Sequence, residues 1–138
     1  MKITDVRALQ PVGENSPQDW RTSLGQILVA VDTDCGITGY GVGGGGLAGI
    51  HVVKTVLRDL LIGRKPEEIT QLWNEMYQTT LAFGRKGIAI MAISGVDLAL
   101  WDLRGEIRKF AHCFFTRRKT WRKNPHLSYS LGYSGFEF

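Results

Sequence analysis

The sequence predicts an α+β domain in which a three-stranded antiparallel meander precedes a bundle of three helices. Gln26 to Asp32 alternates apolar side chains with period two, and the turn at residues 33–36 leads into a second such run, Ile37 to Val42. From Gly87 to Arg104, apolar residues recur at the i, i+3, i+4 and i+7 spacing of a helix with one buried face. Because the strands come first and the helices follow, the pattern favours α+β over repeated βαβ units.

The first strand of the meander is expected from Lys2 to Val12, with Pro11 ending its ladder because proline has no N–H to donate. A polar loop, Gly13 to Ser23, then leads to the strand at residues 26–32. Gly36 closes the following turn and is available for a positive φ.

The first two helices are placed by their stop and start signals. A helix from about Leu47 to Ile62 is ended by Gly63. Pro66 predicts the start of the second helix, whose next two residues are glutamates, where the helix dipole favours negative charge. The apolar stripe of this second helix consists of Ile69, Leu72, Trp73, Met76, Tyr77 and Thr80.

The third helix, GIAIMAISGVDLALWDLR, is the one around which the chain is organised. Its buried face is predicted to consist of Ala89, Ala92, Ile93, Val96, Ala99, Leu100 and Leu103. Trp101 and Leu98 lie outside this face and are also large and apolar, so we expect the helix to be covered on more than one side. Gly95 costs about 1 kcal/mol against alanine in a helix, which predicts the close approach of another backbone.

The basic character of the chain is confined to its last part. The net charge is +4, from 17 Lys and Arg against 13 Asp and Glu. From Glu106 onward there are seven Lys and Arg against two Glu, or +5, which leaves −1 for residues 1–105. The helical pattern also decays after Gly105. We therefore divide the chain into a domain at 1–105 and an atypical basic tail at 106–138.

Composition excludes several protein classes. Apolar residues make up 43% of the chain and no apolar run approaches the ~18 residues of a membrane span. The N-terminal MKITDVRALQ has charges where a signal peptide needs its apolar core. We expect a cytoplasmic protein with no membrane partner. Cys35 and Cys113 have no metal-type spacing and are expected to be reduced thiols.

Glycines at Gly39, Gly41 and Gly44 spell GxGxxG before a helix. A dinucleotide site would also need a parallel strand before the motif and an acidic residue at the end of a second strand. Here the preceding strand belongs to a hairpin, and Asp59 falls inside a helix. We interpret the glycines as a mobile loop, or as a loop that folds over a ligand held elsewhere. The chain has no Gly-Lys-Ser/Thr, which excludes a P-loop.

Titratable residues do not form a recognisable site. His51, His112 and His126 share no ligand spacing and are expected at the surface. Asp97 and Asp102 are five residues apart on one helix and diverge, so they are not a carboxylate pair for acid–base work. Structural hydrogen bonds at a packed helix surface are the expected role of Asp97.

Basic residues offer two further alternatives. Arg85 and Lys86 are expected in a solvated loop, the alternative being that they hold an anionic substrate. Arg117-Arg118-Lys119 and Arg122-Lys123, on either side of Trp121, could bind nucleic acid. An unstructured tail is the favoured interpretation, because no nucleic-acid module surrounds them. The residues alone therefore indicate an α+β domain with two glycine-containing loops and no catalytic constellation.

The segment GRKGIAIMAISGVDLALWDLRG resembles the signature of the N-terminal domain of the enolase superfamily, most closely in the mandelate racemase/muconate lactonizing branch. The segments MKITDVRA, ILVAVDTDCGITGYGVG and LIGRKPEEITQLWNEMY fit that domain in order. The resemblance covers Met1 to Gly105. Within the branch, GRKG followed by AISGVDLALWDL is most similar to acid-sugar dehydratases of the rhamnonate and galactonate types.

The resemblance implies a division of labour between two domains. The N-terminal domain caps a modified TIM barrel, which carries three acidic Mg²⁺ ligands and the general bases. The metal stabilises an enediolate formed when a proton leaves the carbon next to a carboxylate, and a hydroxyl then departs. The barrel is absent from this sequence, so we assign no catalytic residue and no metal ligand. We expect this chain alone to bind no Mg²⁺ and to be inactive.

Two loops of the cap would close over an acid-sugar substrate and help to set specificity. By position they are Gly13 to Ser23 and Val42 to Gly49. The substrate neighbours carried over by position are Asn15, Trp20, Arg21, Gly43, Gly44, Gly45 and Gly46. The four glycines would give the second loop the freedom to close.

The tail departs from the family pattern. Family members continue from this helix into a segment resembling PVYxLLGG, where this chain has FAHCFFTRRKTWRKNPH. The final LSYSLGYSGFEF resembles a first barrel strand. We interpret 106–138 as a frameshifted remnant of the linker and first strand, in a truncated chain, and reading the encoding DNA in all three frames tests this. A cap without its barrel should expose apolar surface and self-associate.

Two other functions remain as alternatives. The cap fold could serve as a non-catalytic interaction or oligomerisation module. Nucleic-acid binding through the basic tail is the second, and the −1 charge of residues 1–105 argues against it; we expect no nucleic-acid partner.

Overall fold

The computed structural model describes residues 1–11 and 24–116, the last seven of them as backbone only. Strands and helices appear in the predicted order, which confirms the α+β class. The elements are β1 (Ile3–Leu9), β2 (Ile27–Thr33), β3 (Thr38–Gly43), α1 (Gly46–Val52), a π-helical turn (Val53–Leu57), α2 (Arg58–Leu61), α3 (Ile69–Thr80) and α4 (Ile88–Thr116).

The three strands form one antiparallel sheet in the order β1-β2-β3. Val6 pairs with Val31, and Val29 pairs with Gly41, so the buried side chains of neighbouring strands lie on one face. Gly36 has the positive φ, 77°, that the turn between β2 and β3 needs. The strand signals in the sequence therefore set the register as well as the order.

The contact between β3 and α4 is made by backbone rather than side chains. A Cβ on Gly41 would lie 2.1 Å from the carbonyl oxygen of Gly95, and one on Gly39 would lie 2.2 Å from that of Ala99. A Cβ on Gly95 would in turn lie 3.1 Å from the Cα of Gly43. The prediction that another backbone approaches Gly95 is thus confirmed. The GxGxxG pattern has a packing explanation in Gly39 and Gly41.

The first predicted helix is one continuous helical run with a π-helical turn in its middle. Val53, Leu57 and Leu61 are completely buried along it, at a spacing of four residues. A π-turn adds a residue to the helical turn and so changes which residues share a face. The predicted stop at Gly63 fits the structure, since Gly63 has a φ of 80° two residues after α2 ends.

The second helix begins later than predicted. Pro66 lies in a turn, and α3 begins at Ile69, so the predicted start was wrong. The preceding chain is tied to β1, because the N–H of Ile3 donates to the carbonyl of Arg64 at 2.9 Å and the N–H of Gly63 donates to that of Ile3 at 2.8 Å. The Arg64 guanidinium pairs with Glu75 of α3 and holds the pKa of this carboxyl at about 2.

The predicted inner face of the third helix is confirmed, since all seven of its residues are buried. The prediction that its other sides are covered is wrong for the described part of the chain. Met91, Leu98 and Trp101 are 48%, 51% and 50% exposed. The physical reason is that the residues of α4 that join the hydrophobic core all lie on its inner face, which leaves the opposite side outside the core.

The third helix also continues beyond its predicted end at Arg104, to Thr116. Ile107 packs against the core, and Lys109 pairs with Glu106 one turn earlier at 2.6 Å. These contacts extend the helix where the amphipathic period of the sequence weakens.

Two hydrogen bonds join α4 to the outer edge of β3. The N–H of Tyr40 donates to Oδ2 of Asp102 at 2.9 Å, and the N–H of Gly44 donates to the carbonyl of Met91 at 3.3 Å. The helix therefore follows the last strand along its length. None of the helices within residues 24–116 is long and apolar enough to cross a membrane.

Candidate functional site

Three strand ends, which belong to two connections of the chain, meet at one end of the sheet. Because the strands are antiparallel, β1 ends where β2 begins and β3 ends, as the pairs Leu9–Leu28 and Ile27–Gly43 show. The N–H of Gly46 donates to the carbonyl of Gly25 at 2.9 Å. The residues that flank the first predicted loop are therefore bonded to the start of the second.

The glycine-rich connection is shorter and more constrained than the sequence predicts. Gly43 is the last residue of β3 and Gly46 the first of α1, which leaves two residues between them. Gly45 has a φ of 93°, and a Cβ on it would lie 3.0 Å from Cγ2 of Ile88. A positive φ and a close neighbour both require glycine here. The turn thus rests on the beginning of α4.

An open cavity of about 520 Å³ lies beside this turn. Its walls come from α1, from the segment that joins α3 to α4, and from the first residues of α4. The lining residues are Ala48, His51, Val52, Phe83, Gly84, Lys86, Ile88 and Ala89. Ile88 lines this cavity and also lies next to Gly45 of the glycine turn, so the cavity and the turn adjoin.

The cavity combines an apolar wall with two basic side chains. His51 comes from α1 and Lys86 from the α3–α4 connection, and both are exposed. The lysine ammonium offers three hydrogen-bond donors and the imidazole at least one. An apolar pocket with a few convergent polar groups is the usual form of a small-molecule site, and these groups suit an anionic or hydroxylated ligand.

Sequence reasoning assigned neither side chain to a site. His51 was expected at the surface and Lys86 in a solvated loop, with an anionic substrate as the alternative. Both are exposed, and the structure brings them to one cavity although they are 35 residues apart in the sequence. No local spacing could have indicated this.

The remaining predicted site residues fall into two groups. Asn15, Trp20 and Arg21 lie outside the described residues, as does the basic cluster that begins at Arg117. The four glycines lie at the loop-bearing end of the sheet, and their role as substrate neighbours stays a prediction.

The two aspartates of α4 are arranged differently from the prediction. Asp102, not Asp97, forms the structural hydrogen bond, to the backbone N–H of Tyr40. Within the described part of the chain Asp97 has no hydrogen-bond or ion-pair partner, so that prediction was wrong. Partial burial raises the pKa of the Asp97 carboxyl above its ordinary value of 3.8. The two groups therefore do not act as a pair.

Metal-binding side chains are not grouped in the part of the chain that the structure describes. No cluster of three or more His, Cys, Asp and Glu residues there could hold a metal ion. Mg²⁺ prefers six oxygen ligands in an octahedron, and the described residues offer no cluster of carboxylates that could supply them.

Comparison with known proteins gives one family and several related structures. The sequence profile described as "Mandelate racemase / muconate lactonizing enzyme, N-terminal domain" matches residues 12–111. The crystal structure of L-rhamnonate dehydratase from Gibberella zeae is 30% identical, with a TM-score of 0.66, over 78% of this chain and 32% of that one.

Two further crystal structures show the same likeness. A racemase from Streptomyces coelicolor A3(2) with bound magnesium is 33% identical, with a TM-score of 0.63, over 78% of this chain and 32% of that chain. A putative mandelate racemase from Bordetella bronchiseptica RB50, complexed with 2-oxoglutarate/phosphate, is 34% identical with a TM-score of 0.58, over 78% and 29%. The chain spans about a third of the length of these relatives.

Proposed function

Because the chain belongs to the mandelate racemase/muconate lactonizing enzyme family, whose N-terminal domain it contains, we propose that residues 1–105 cap the substrate site of an acid-sugar dehydratase. The reaction removes a proton from the carbon next to a carboxylate and then eliminates water. In this proposal a barrel domain supplies the proton transfer. The cap binds the end of the sugar acid that the barrel does not reach, and it excludes water.

The observation that carries the proposal is that the residues flanking the first predicted loop are bonded to the start of the second at one end of the sheet. The hydrogen bond between Gly46 and Gly25 ties the two connections together, and the cavity with His51 and Lys86 opens beside them. Loops on a rigid sheet are the usual position for specificity residues.

The cavity offers chemistry suited to a polyhydroxylated acid. Lys86 can donate to a carboxylate or to sugar hydroxyls, and His51 can donate to or accept from a hydroxyl. The apolar wall that includes Val52 and Ile88 can contact the carbon skeleton of the same ligand. Asn15, Trp20 and Arg21 belong to the same proposal as the side chains of the first loop.

The choice of a dehydratase rests on the similarity to L-rhamnonate dehydratase together with the GRKG segment before α4. Lys86 of that segment lines the cavity. Magnesium occurs in the racemase relative, but the described residues of this chain do not fit a metal ion, so the cap contributes no metal ligand to the proposed reaction.

A domain exchange tests the proposal. Residues 1–116 replace the corresponding N-terminal domain of the L-rhamnonate dehydratase, and the chimera is assayed with magnesium and a panel of sugar acids. We expect dehydration of at least one of them. A chimera that folds and retains a competent barrel but dehydrates none would contradict the proposal.

A matched pair of variants in this chimera tests the cavity. Lys86→Ala should raise KM by about tenfold with a smaller change in kcat, because it removes a binding interaction present before and during the reaction. Lys54→Ala is the control, since Lys54 is also exposed but lies in the π-helical turn and does not line the cavity. Equal KM values for the two variants would remove Lys86 from the site.

The isolated 138-residue chain provides a second test. With magnesium and the same panel of sugar acids we expect no turnover, because the proposal assigns proton transfer to a barrel domain and the described residues contain no group of three or more His, Cys, Asp and Glu that could hold a metal ion. Turnover by the purified chain would overturn the assignment of residues 1–105 as a cap only.

A further inference from the structure

The charges around the cavity beside the glycine turn are all of one sign. Its walls come from two segments, 43–57 and 81–96, and neither segment contains an aspartate or a glutamate. The cationic side chains in these segments are Lys54, Arg85 and Lys86. Residues 1–105 as a whole carry a net charge of −1. This end of the domain is therefore positive although the domain as a whole is not.

The lysine that lines the cavity also lacks an acidic partner. Elsewhere in the domain three arginines are paired with carboxylates of other elements, Arg7 with Asp32, Arg58 with Asp5 and Arg64 with Glu75. Lys86, by contrast, has no ion-pair or hydrogen-bond partner among residues 1–11 and 24–109. Its charge is available to a ligand in the cavity.

The hydrogen-bonding groups of the cavity suit an anion better than a hydroxyl group. A sugar hydroxyl both donates and accepts hydrogen bonds, whereas an ionised carboxylate only accepts them. Among the side chains that line the cavity, Lys86 can only donate, and the one side-chain acceptor is a ring nitrogen of His51. A hydrogen bond between two charged groups is also roughly twice as strong as one between neutral groups.

We propose that the cavity binds a second anionic group of the substrate, at the end of the sugar acid away from the reacting carboxylate. The inference rests on the proposed function, in which a barrel holds the reacting end and the cap binds the other end. It narrows the substrate class to sugar diacids or to sugar acids with a terminal phosphate. In both, the anion accepts from Lys86 and the carbon chain contacts the apolar wall at Val52 and Ile88.

Matched substrates test the inference in the chimera that tests the proposed function. Galactonate, galactarate and galactonate 6-phosphate have the same hydroxyl configuration and differ at the terminal carbon, which carries an alcohol, a carboxylate or a phosphate ester. Sets with other configurations follow the same scheme. In at least one set, kcat/KM for the diacid or the phosphate should exceed that for the monoacid by about tenfold or more. The faster of the two identifies the source of the anion.

Variants of the chimera show whether Lys86 is responsible for this ratio. Lys86→Ala should reduce the ratio towards one, whereas Lys86→Arg, which keeps a positive donor, should retain most of it. Lys54→Ala is the control, since Lys54 does not line the cavity. The ratio should also fall at ~1 M salt, which screens exposed charges. A variant that is merely less well folded would lower all the rates together and leave the ratio unchanged.

A second measurement decides the anion site without turnover. By calorimetry, the purified 138-residue chain should bind galactarate at least ~10-fold more tightly than galactitol, the uncharged alcohol of the same configuration, and Lys86→Ala should remove the difference. Equal binding of the two would overturn the inference.

The outcomes in the chimera separate the inference from the proposed function. Equal or faster turnover of the monoacid in every set would overturn the inference and leave the capping function standing. No turnover of any acid by a folded chimera with a competent barrel would contradict the capping function itself, and with it the assignment of the anion to a substrate.

Discussion

The inner face of α4 lies against a strand of glycines, whereas its outer face carries a leucine, a methionine and a tryptophan that nothing in the described structure covers. On the inner side the helix and β3 are so close that a single methyl group on Gly41 would overlap the carbonyl of Gly95. On the outer side Leu98 and Trp101 remain half exposed.

The difference shows that apolar composition alone does not determine burial. The inner face obtains its packing from the shape of one neighbouring strand, so it is complete within the domain. The outer face has the large side chains of a packing surface, and among residues 1–11 and 24–109 these side chains stay about half exposed. Substitutions on the two faces should therefore respond differently to the same chemical change.

The sharpest test compares two leucines of the same helix. Leu100→Ala, on the inner face, should lower the free energy of unfolding by about 2–5 kcal/mol, since Leu100 is completely buried and leaves a cavity. Leu98→Ala, on the outer face, should change it by less than ~0.5 kcal/mol at concentrations where the chain is monomeric. Urea unfolding followed by circular dichroism measures both. Similar losses would contradict the distinction between the faces.

The next test adds a methyl group to each of two glycines. Gly41→Ala should destabilise the domain by about 1–3 kcal/mol, because its Cβ would overlap backbone atoms of α4 that cannot move away easily. Gly105→Ala is the control, since nothing lies within 4 Å of its Cβ, and it should stabilise the helix by roughly 0.5–1 kcal/mol. Thermal unfolding of the two variants should shift in opposite directions, and a harmless Gly41→Ala would disprove the close contact.

A third test concerns the hydrogen bond from the N–H of Tyr40 in β3 to the carboxylate of Asp102 in α4. Asp102→Ala removes the acceptor of the Tyr40 N–H and should lower the free energy of unfolding by about 1 kcal/mol. Hydrogen exchange of the Tyr40 amide should accelerate in this variant. Asp59→Ala, another exposed aspartate on a helix, should leave that amide unchanged. Unchanged exchange in Asp102→Ala would mean that this bond does not protect the edge of β3.

The smallest expected effect is electrostatic and lies on the outer side of α4. Burial raises the folded-state pKa of Asp97 above 3.8, so this residue lowers stability as the pH rises from the unfolded-state pKa through the folded one. Asp97→Asn should therefore raise the melting temperature slightly at about pH 7 and leave it unchanged at about pH 3. An equal shift at both pH values would exclude the charge of Asp97 as the cause.

The sequence was sufficient for those features that depend on local periodicity. The alternation of β2 and the spacing on α4 predicted which side chains are buried, and the cost of Gly95 predicted a close backbone contact. Periodicity does not report distance between elements, however. The glycines of β3 therefore resembled a loop motif. In the structure, Gly39 and Gly41 instead allow the backbone of α4 to pack directly against the strand.

Features that depend on contacts between distant residues were missed. Pro66 is a good helix starter, but the pairing of Arg64 with β1 delays α3 until Ile69. The end at Arg104 was predicted from a weakening pattern, and the contact of Ile107 with the core overrides it. The cavity could not be predicted, because one of its two basic side chains comes from α1 and the other from the α3–α4 connection.

The hydrogen bonds along the outer strands have a consequence for how copies of this chain can associate. An uncovered sheet edge is a template on which further strands add without limit, as in amyloid. Here α4 occupies the edge of β3 through Asp102 and the carbonyl of Met91, and the segment at Gly63 and Arg64 occupies the beginning of β1. Fibre growth from β3 would first require α4 to detach, so contacts between copies are directed to side chains, which favours closed assemblies of defined size.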